Sequence, residues 1–197
     1  MVLVGLYIKR TIPRILKVEN AHPIPVVQQE FSMGPSYAYF QGKIVPIDEA
    51  KVSVRTHALN YGTGAFGGVR AYWNDEEENL FIFRPLDHFR RVLNSGKLLM
   101  MDLPYTVEEL VEATKDTVRS SGLDSCYIRP IAYYGYGEIG LNTLPCKVDV
   151  AIACWNWGAY LGDDALTKGV RLKVSSWTRH DHNTMPPAAK TTGNYVN

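Results

Sequence analysis

A chain of 197 residues has room for one substantial core or two modest lobes. Its 21 basic and 20 acidic side chains leave a net charge of +1, which speaks against nucleic acid as a main partner, because a phosphate backbone is met by a basic excess or stripe. Apolar residues make up 46% of it, yet no run approaches the roughly 18 uncharged apolar residues of a membrane span. Cys126, Cys146 and Cys154 have no CxxC spacing and an odd count, so they read as thiols in a reducing compartment and not as a disulfide framework.

Residues 1–36 differ from the rest of the chain. They hold prolines at 13, 23, 25 and 35, and Lys9, Arg10, Arg14 and Lys17 precede the first acidic residue, Glu19. In a secretory signal the charges come before the apolar run; here they come after it, so the segment reads as a flexible or loosely docked extension. From Tyr37 the pattern becomes regular. YAYFQGKIV predicts a hairpin about Gln41-Gly42, and Val69–Trp73 with Leu80–Phe83 predicts another about the acidic turn Asn74–Asn79. Pro85 suits the first turn of a helix, with Leu86, Phe89, Leu93 and Leu98 near one stripe, ending before Pro104.

Thr106 with Glu109 forms a capping box for a second helix, whose apolar and small residues Val107, Leu110, Val111, Thr114, Thr117 and Val118 recur at helical spacing up to Gly122. Cys126–Tyr134, Lys147–Trp155 and Gly169–Ser176 read as strands. Hairpins, then helices, then further strands indicate an α+β domain and not a Rossmann array. The chain closes on PPAAKTTGNYVN, which reads as the opening of a helix with nothing after it to bury it, and therefore as part of something longer.

Several stretches carry chemistry. Residues 56–72, THALNYGTGAFGGVRAY, crowd glycines and aromatics around Arg70, in a spacing that fits close backbone approach to a ligand or a bulged hairpin, but not a dinucleotide cradle. Arg90 and Arg91 share a helix, where an arginine either grips an anion bidentately or faces water. Tyr127 and Arg129 lie two apart on one strand and so share a face; an arginine in an apolar strand needs a carboxylate ligand or a structural ion partner. WNWGAYLG at 155–162 is an aromatic-glycine turn, a pocket rim or a linker. Lys190 sits among small uncharged residues, a setting open both to a desolvated nucleophilic amine and to an ordinary solvent-facing lysine. His180 and His182 flank Asp181 without a third ligand, so no metal is expected there.

Taken together and in order, residues 37–197 resemble the branched-chain amino acid aminotransferases, pyridoxal 5'-phosphate enzymes of fold type IV. The matching stretches are YAYFQGKIVPIDEAKVSVRTHALNYGTGAFGGVRAY, FRPLDHFRRVLNSGKLLMMDLP, CYIRPIAYYGYGEIGLN, WNWGAYLG, VSSWTR and NTMPPAAKTTGNY. The resemblance implies a small α+β lobe at 37–155, an interdomain linker at 156–168 and the start of the large cofactor lobe at 169–197, after an extension at 1–36. It places on Lys190 the Schiff-base and proton-transfer role, on Arg91 the clamp for the cofactor phosphate, and on Tyr195 a contact with the cofactor's 3'-oxygen. Phe66, Arg70, Tyr127, Arg129 and Tyr160 match substrate-pocket residues, and Tyr61 matches one reaching across a dimer. The implied reaction exchanges amino groups between leucine, isoleucine or valine and 2-oxoglutarate, in the cytoplasm, in an assembly built from homodimers, with small-molecule amino acids and 2-oxo acids as partners and neither membrane nor nucleic acid. D-amino acid aminotransferase, aminodeoxychorismate lyase and a non-catalytic dimerisation or regulatory fragment are the alternatives.

Two departures stand out. Gly67 replaces the glutamate usual in the family's F-E-G-[IV]-R stretch, which puts pocket geometry in question. Family members also continue well beyond the lysine, so residues 1–197 alone are expected to be inactive and mobile from about 178 onward.

Overall fold

The computed structural model describes residues 36–158 and 165–196. The extension expected at 1–36 therefore lies outside the described residues except for Ser36, and so does the middle of the expected linker. Both hairpins form. β1 (Tyr37–Phe40) pairs with β2 (Lys43–Pro46) across Gln41-Gly42, where both residues take positive φ, as such a tight turn requires. Between this hairpin and β3 (Gly64–Phe66) lies a short helix, α1 (His57–Tyr61), that periodicity does not indicate. β4 (Val69–Asn74) pairs with β5 (Asn79–Ile82), and β6 (Cys126–Tyr134) with β7 (Val148–Trp155). The strands form one antiparallel sheet in the order β2-β1-β7-β6-β4-β5, with β3 also on β6.

β3 and β4 are one line of backbone interrupted at Gly67-Gly68. Phe66 faces Ile131 and Val69 faces Ile128, so the register is the same on both sides of the break, and the Gly67 N–H still donates to the Pro130 carbonyl at 2.9 Å. Pro130 has no N–H to return, so the ladder lapses there. Position 67 is closed, not loose. A Cβ at Gly67 would stand 2.9 Å from Pro130 Cγ and 3.1 Å from Val92 Cγ2, while one at Gly68 would collide with the Tyr127 hydroxyl. A glutamate at 67 could enter only if the helix above or Pro130 moved.

That helix is α2 (Pro85–Leu98), which with α3 (Val107–Ser121) covers one face of the sheet. α3 has the stripe its sequence indicates: Leu110, Val111, Thr114, Thr117, Val118 and Ser121 are buried, Thr106 and Glu109 complete the capping box, and Gly122 closes the helix at φ +60°. α2 corrects its sequence reading. Leu86 and Leu98 are exposed, and the buried residues are Phe89, Val92, Ser95 and Gly96. The small residues let α2 lie close: a Cβ at Gly96 would come within 2.6 Å of Leu103 Cδ1. The core between helices and sheet is built on Phe89, Leu110, Ile128, Val150 and Ile152, each no more than 1% exposed, each worth about 1.5–3 kcal/mol when withdrawn from water. All three cysteines are buried and free.

Beyond β7 two expectations fail. Residues 169–176 form no strand, and Leu172 and Val174 are more than nine-tenths exposed; apolar alternation makes a strand only where another strand lies alongside to pair with it, and none of the described strands pairs with this segment. After the short helix α4 (Ala165–Lys168), the PPAAKTTGNY stretch is not a helix either. It turns, pairs once with the sheet through Ala65 and Thr191, and ends in a 3-10 turn at Gly193–Tyr195. Nor does it stand clear of the protein, since Ala189 is 4% and Thr191 1% exposed.

Candidate active site

The segment around Lys190 is moored by its backbone. The Phe66 N–H donates to the Lys190 carbonyl (3.0 Å), the Thr192 N–H to the Gly64 carbonyl (2.8 Å) and the Gly193 N–H to the Gly62 carbonyl (3.2 Å), so residues 190–193 run along the edge of β3 opposite β6. Gly62 permits this approach: at φ +68°, a Cβ there would come 2.8 Å from Gly193 Cα. On its other side the Lys190 N–H donates to Ser95 Oγ of α2 at 3.1 Å. Thr192 Oγ1 adds a bond to the Gly62 carbonyl at 2.7 Å.

These moorings put the Lys190 amine beside aromatic rings and at the wall of a cavity. Its Nζ lies 5.0 Å from the Phe66 ring centre and 5.6 Å from that of Tyr195, and the two rings are 5.0 Å apart. The cavity, about 520 Å³, falls in the roughly 300–1,000 Å³ range of small-molecule sites. Arg91, Arg179, Lys190, Thr191, Asn194 and Tyr195 line it, with His180 and His182 at the same wall. Arg91 reaches it from α2. Its Nη2 donates to His88 Nδ1 at 3.3 Å, and burial, with the positive charge of Arg91 second, holds the His88 imidazole below its ordinary pKa, so the ring is a neutral acceptor near pH 7. Arg90 points elsewhere, exposed and paired with Asp87 at 3.2 Å.

The opposite face of the sheet from the core gathers most of the other candidates. Arg70 pairs with Tyr127, Tyr127 with Trp155, and Phe66 and Arg129 alternate onto the same side. Arg129 Nη2 donates to the Tyr127 hydroxyl at 3.0 Å, and its guanidinium carbon stands 4.8 Å from the Phe66 ring centre. Arg129 Nε is buried without a partner, an unsatisfied donor at the end of a cation. Trp155 and Trp157 wall this face against Tyr127 at 5.3 and 4.6 Å. Arg70 is engaged otherwise: its two terminal nitrogens donate to the carbonyls of Trp157 and Gly158 at 3.3 and 3.2 Å, tying the chain after β7 to β4. Tyr61 is exposed and rests on the His57 ring at 4.6 Å. Tyr160 lies outside the described residues.

Sequence reasoning missed Ser95 and His88, both polar residues within a helix pattern read for apolar ones. It also missed His57, buried between Thr63 Oγ1 (2.7 Å) and the Gly140 carbonyl (2.8 Å), which fastens α1 to the loop after β6. A histidine three residues ahead of an arginine on one helix turn was the available signal for the His88–Arg91 pair.

Residues 64–197 match the family model for class IV amino-transferases. The chain belongs to this family. A probable branched-chain-amino-acid aminotransferase of Aquifex aeolicus (strain VF5) is 44% identical over 170 residues, 86% of this chain and 53% of that protein. Among solved class IV structures, the branched-chain amino acid aminotransferase of Escherichia coli superposes with a TM-score of 0.79 at 40% identity, over 83% of this chain and 53% of its own. The T.th. branched-chain amino acid aminotransferase with pyridoxamine 5'-phosphate gives 0.76 at 47%, with the same coverage. The chain thus spans about half the length of the curated relatives it matches. These neighbours bear out the fold expected of it, the α+β lobe of fold type IV. Among the described residues no helix is long and apolar enough to cross a membrane, and no cluster of metal-ligating side chains occurs.

The cavity suits a phosphorylated aromatic aldehyde. An amine, the Arg91 guanidinium and a phenol line one wall, none of the described residues lining it is a carboxylate that would repel phosphate, and Thr191 Oγ1 is buried there without a partner.

Proposed function

We propose that this chain serves pyridoxal 5'-phosphate-dependent transamination of branched-chain amino acids, exchanging amino groups between leucine, isoleucine or valine and 2-oxoglutarate. The observation that carries the reading is the convergence of the Lys190 amine, the Arg91 guanidinium and Tyr195 on one cavity that abuts, through Phe66, the Arg129–Tyr127 face. The likeness to branched-chain aminotransferases supports the substrate class. Pyridoxal phosphate, when bound, supplies an electron-poor ring that takes up the charge left as a substrate loses its α-proton.

The chain's own residues do the rest. Lys190 takes the proton from the substrate Cα and returns it as the amino group is passed on. Arg91, aimed by neutral His88, holds the phosphate, and Tyr195 holds the ring oxygen. Phe66, Tyr127 and the neighbouring tryptophans exclude water and accept a branched aliphatic side chain, while the half-buried Arg129, whose Nε lacks a partner, pairs the distal carboxylate of glutamate or 2-oxoglutarate. Arg70 positions the 157–158 backbone at the rim. Tyr160 and, from a partner subunit, Tyr61 complete the pocket in a cytoplasmic homodimer.

In a catalytically complete polypeptide, meaning this chain together with the part of its relatives' length that it does not span, leucine with 2-oxoglutarate should yield glutamate and D-alanine should not. Preference for D-alanine would overturn the substrate class. The phosphate role has its own check. Arg91→Ala should weaken pyridoxal phosphate binding by about 1.5–3 kcal/mol, the value of a charged hydrogen bond, or roughly ten- to more than a hundredfold, with Arg90→Ala near wild type. Equal affinities in the two variants, measured by cofactor titration, would remove Arg91 from the site.

A further inference from the structure

Ser95 is almost wholly buried, at 1% exposure, on a helix whose buried stripe would otherwise be apolar or glycine. Its hydroxyl makes two bonds with different ends of the site. Ser95 Oγ donates to the carbonyl of Arg91, one turn back on α2, at 2.8 Å, and accepts the backbone N–H of Lys190, 95 residues away, at 3.1 Å. The first is a common serine bond within a helix; the second is not local and joins α2 to the lysine. With the Phe66 N–H on its carbonyl, Lys190 is held by its backbone on both sides, on α2 through Ser95 and on β3 through Phe66.

We propose that Ser95 is a positioning residue that fixes the lysine amine relative to the arginine anion clamp, one hydroxyl setting the spacing of the two poles of the site. The proposal rests on the aminotransferase reading for what the two poles hold. A lysine amine rides on a flexible four-carbon stem, so its reach toward a ligand gripped by Arg91 is defined only as well as its own Cα is placed against the helix turn carrying Arg91. Ser95 is the only side chain among the described residues shown bonded to the backbone of both. An alanine would satisfy the helix and leave the Lys190 N–H without its acceptor; a threonine keeps the oxygen and a rotamer that bonds the preceding turn.

Two readouts on the purified chain test this. In Ser95→Ala, residue-resolved amide exchange should speed at Lys190 roughly two- to tenfold, the worth of one neutral hydrogen bond, while the Phe66 amide keeps its protection. Ser95→Thr should restore the Lys190 protection. Thr114→Val is the control, since Thr114 is buried in α3 with the same bond to a preceding carbonyl (2.7 Å) and no link to the site; it should lower Tm without altering exchange at Lys190. The second readout is the share of pyridoxal phosphate fixed on Lys190 by borohydride, relative to other lysines, which should fall by a similar factor in Ser95→Ala and recover in Ser95→Thr. Wild-type exchange at Lys190 in Ser95→Ala, or an equal change in Thr114→Val, would overturn the anchorage. Faster exchange with unchanged labelling would overturn the positioning role. Wild-type protein that takes no label at Lys190 would overturn the aminotransferase reading and the positioning role with it, while exchange still decides the anchorage.

Discussion

Replacing Lys190 by alanine in a catalytically complete form of this protein should abolish transamination, and borohydride reduction with pyridoxal phosphate should label Lys190 in preference to Lys168 and Lys173. The expectation follows from placement. Lys168 and Lys173 are exposed, whereas the Lys190 backbone is bonded to β3 and to α2 and its amine stands beside the Phe66 and Tyr195 rings at the wall of the Arg91 cavity. Proton transfer by a positioned side chain is worth on the order of 10²–10⁴-fold by itself. The same amine would also hold the cofactor, so alanine removes two functions with one substitution. Peptide mapping of the reduced adduct decides the assignment, and label concentrated on any other lysine overturns it.

How much of this arrangement can be read in the sequence depends on whether its cause is local. The hairpin at Gln41-Gly42 and the capping box of Thr106 and Glu109 are written in adjacent residues, and both form as read. Tyr127 and Arg129 share a face because a strand alternates, whatever lies beside it. Strand 169–176 fails for the complementary reason: alternation is local, but a strand needs a second strand alongside, and no described strand pairs with these residues. The phase of α2 is not legible because Ser95 and Gly96, and not Leu86 and Leu98, face the core, and hydrophobicity alone gives no sign that a serine is hidden to receive a hydrogen bond from residue 190. The PPAAKTTGNY stretch has helical composition near its lysine, yet its backbone groups find better partners on β3, a contact across well over a hundred residues that no window of sequence contains. What is not legible is the docking that brings Lys190 to the cavity lined by Arg91.

The polypeptide 1–197 taken by itself should give no transamination above a Lys190→Ala control, even with saturating pyridoxal phosphate, in a coupled assay with leucine and 2-oxoglutarate. Its site has one wall. Among the described residues the cavity is lined by the amine, guanidinium, imidazole and phenol groups of Arg91, Arg179, His180, His182, Lys190 and Tyr195, and by no carboxylate that could hold the protonated nitrogen of a pyridine ring. Reaction rates of this kind depend on fixing the substrate Cα, the amine and the ring together and on donors preorganised around developing charge; a single well-placed lysine supplies only the first contact. The relatives are about twice as long as the part of them that this chain matches. Labelling and turnover should therefore separate in this polypeptide: Lys190 takes pyridoxal phosphate under borohydride because its backbone is already docked, while glutamate formation stays at the level of the control. Sustained turnover above that control would show that these walls, or a second copy of the chain, suffice to complete the site.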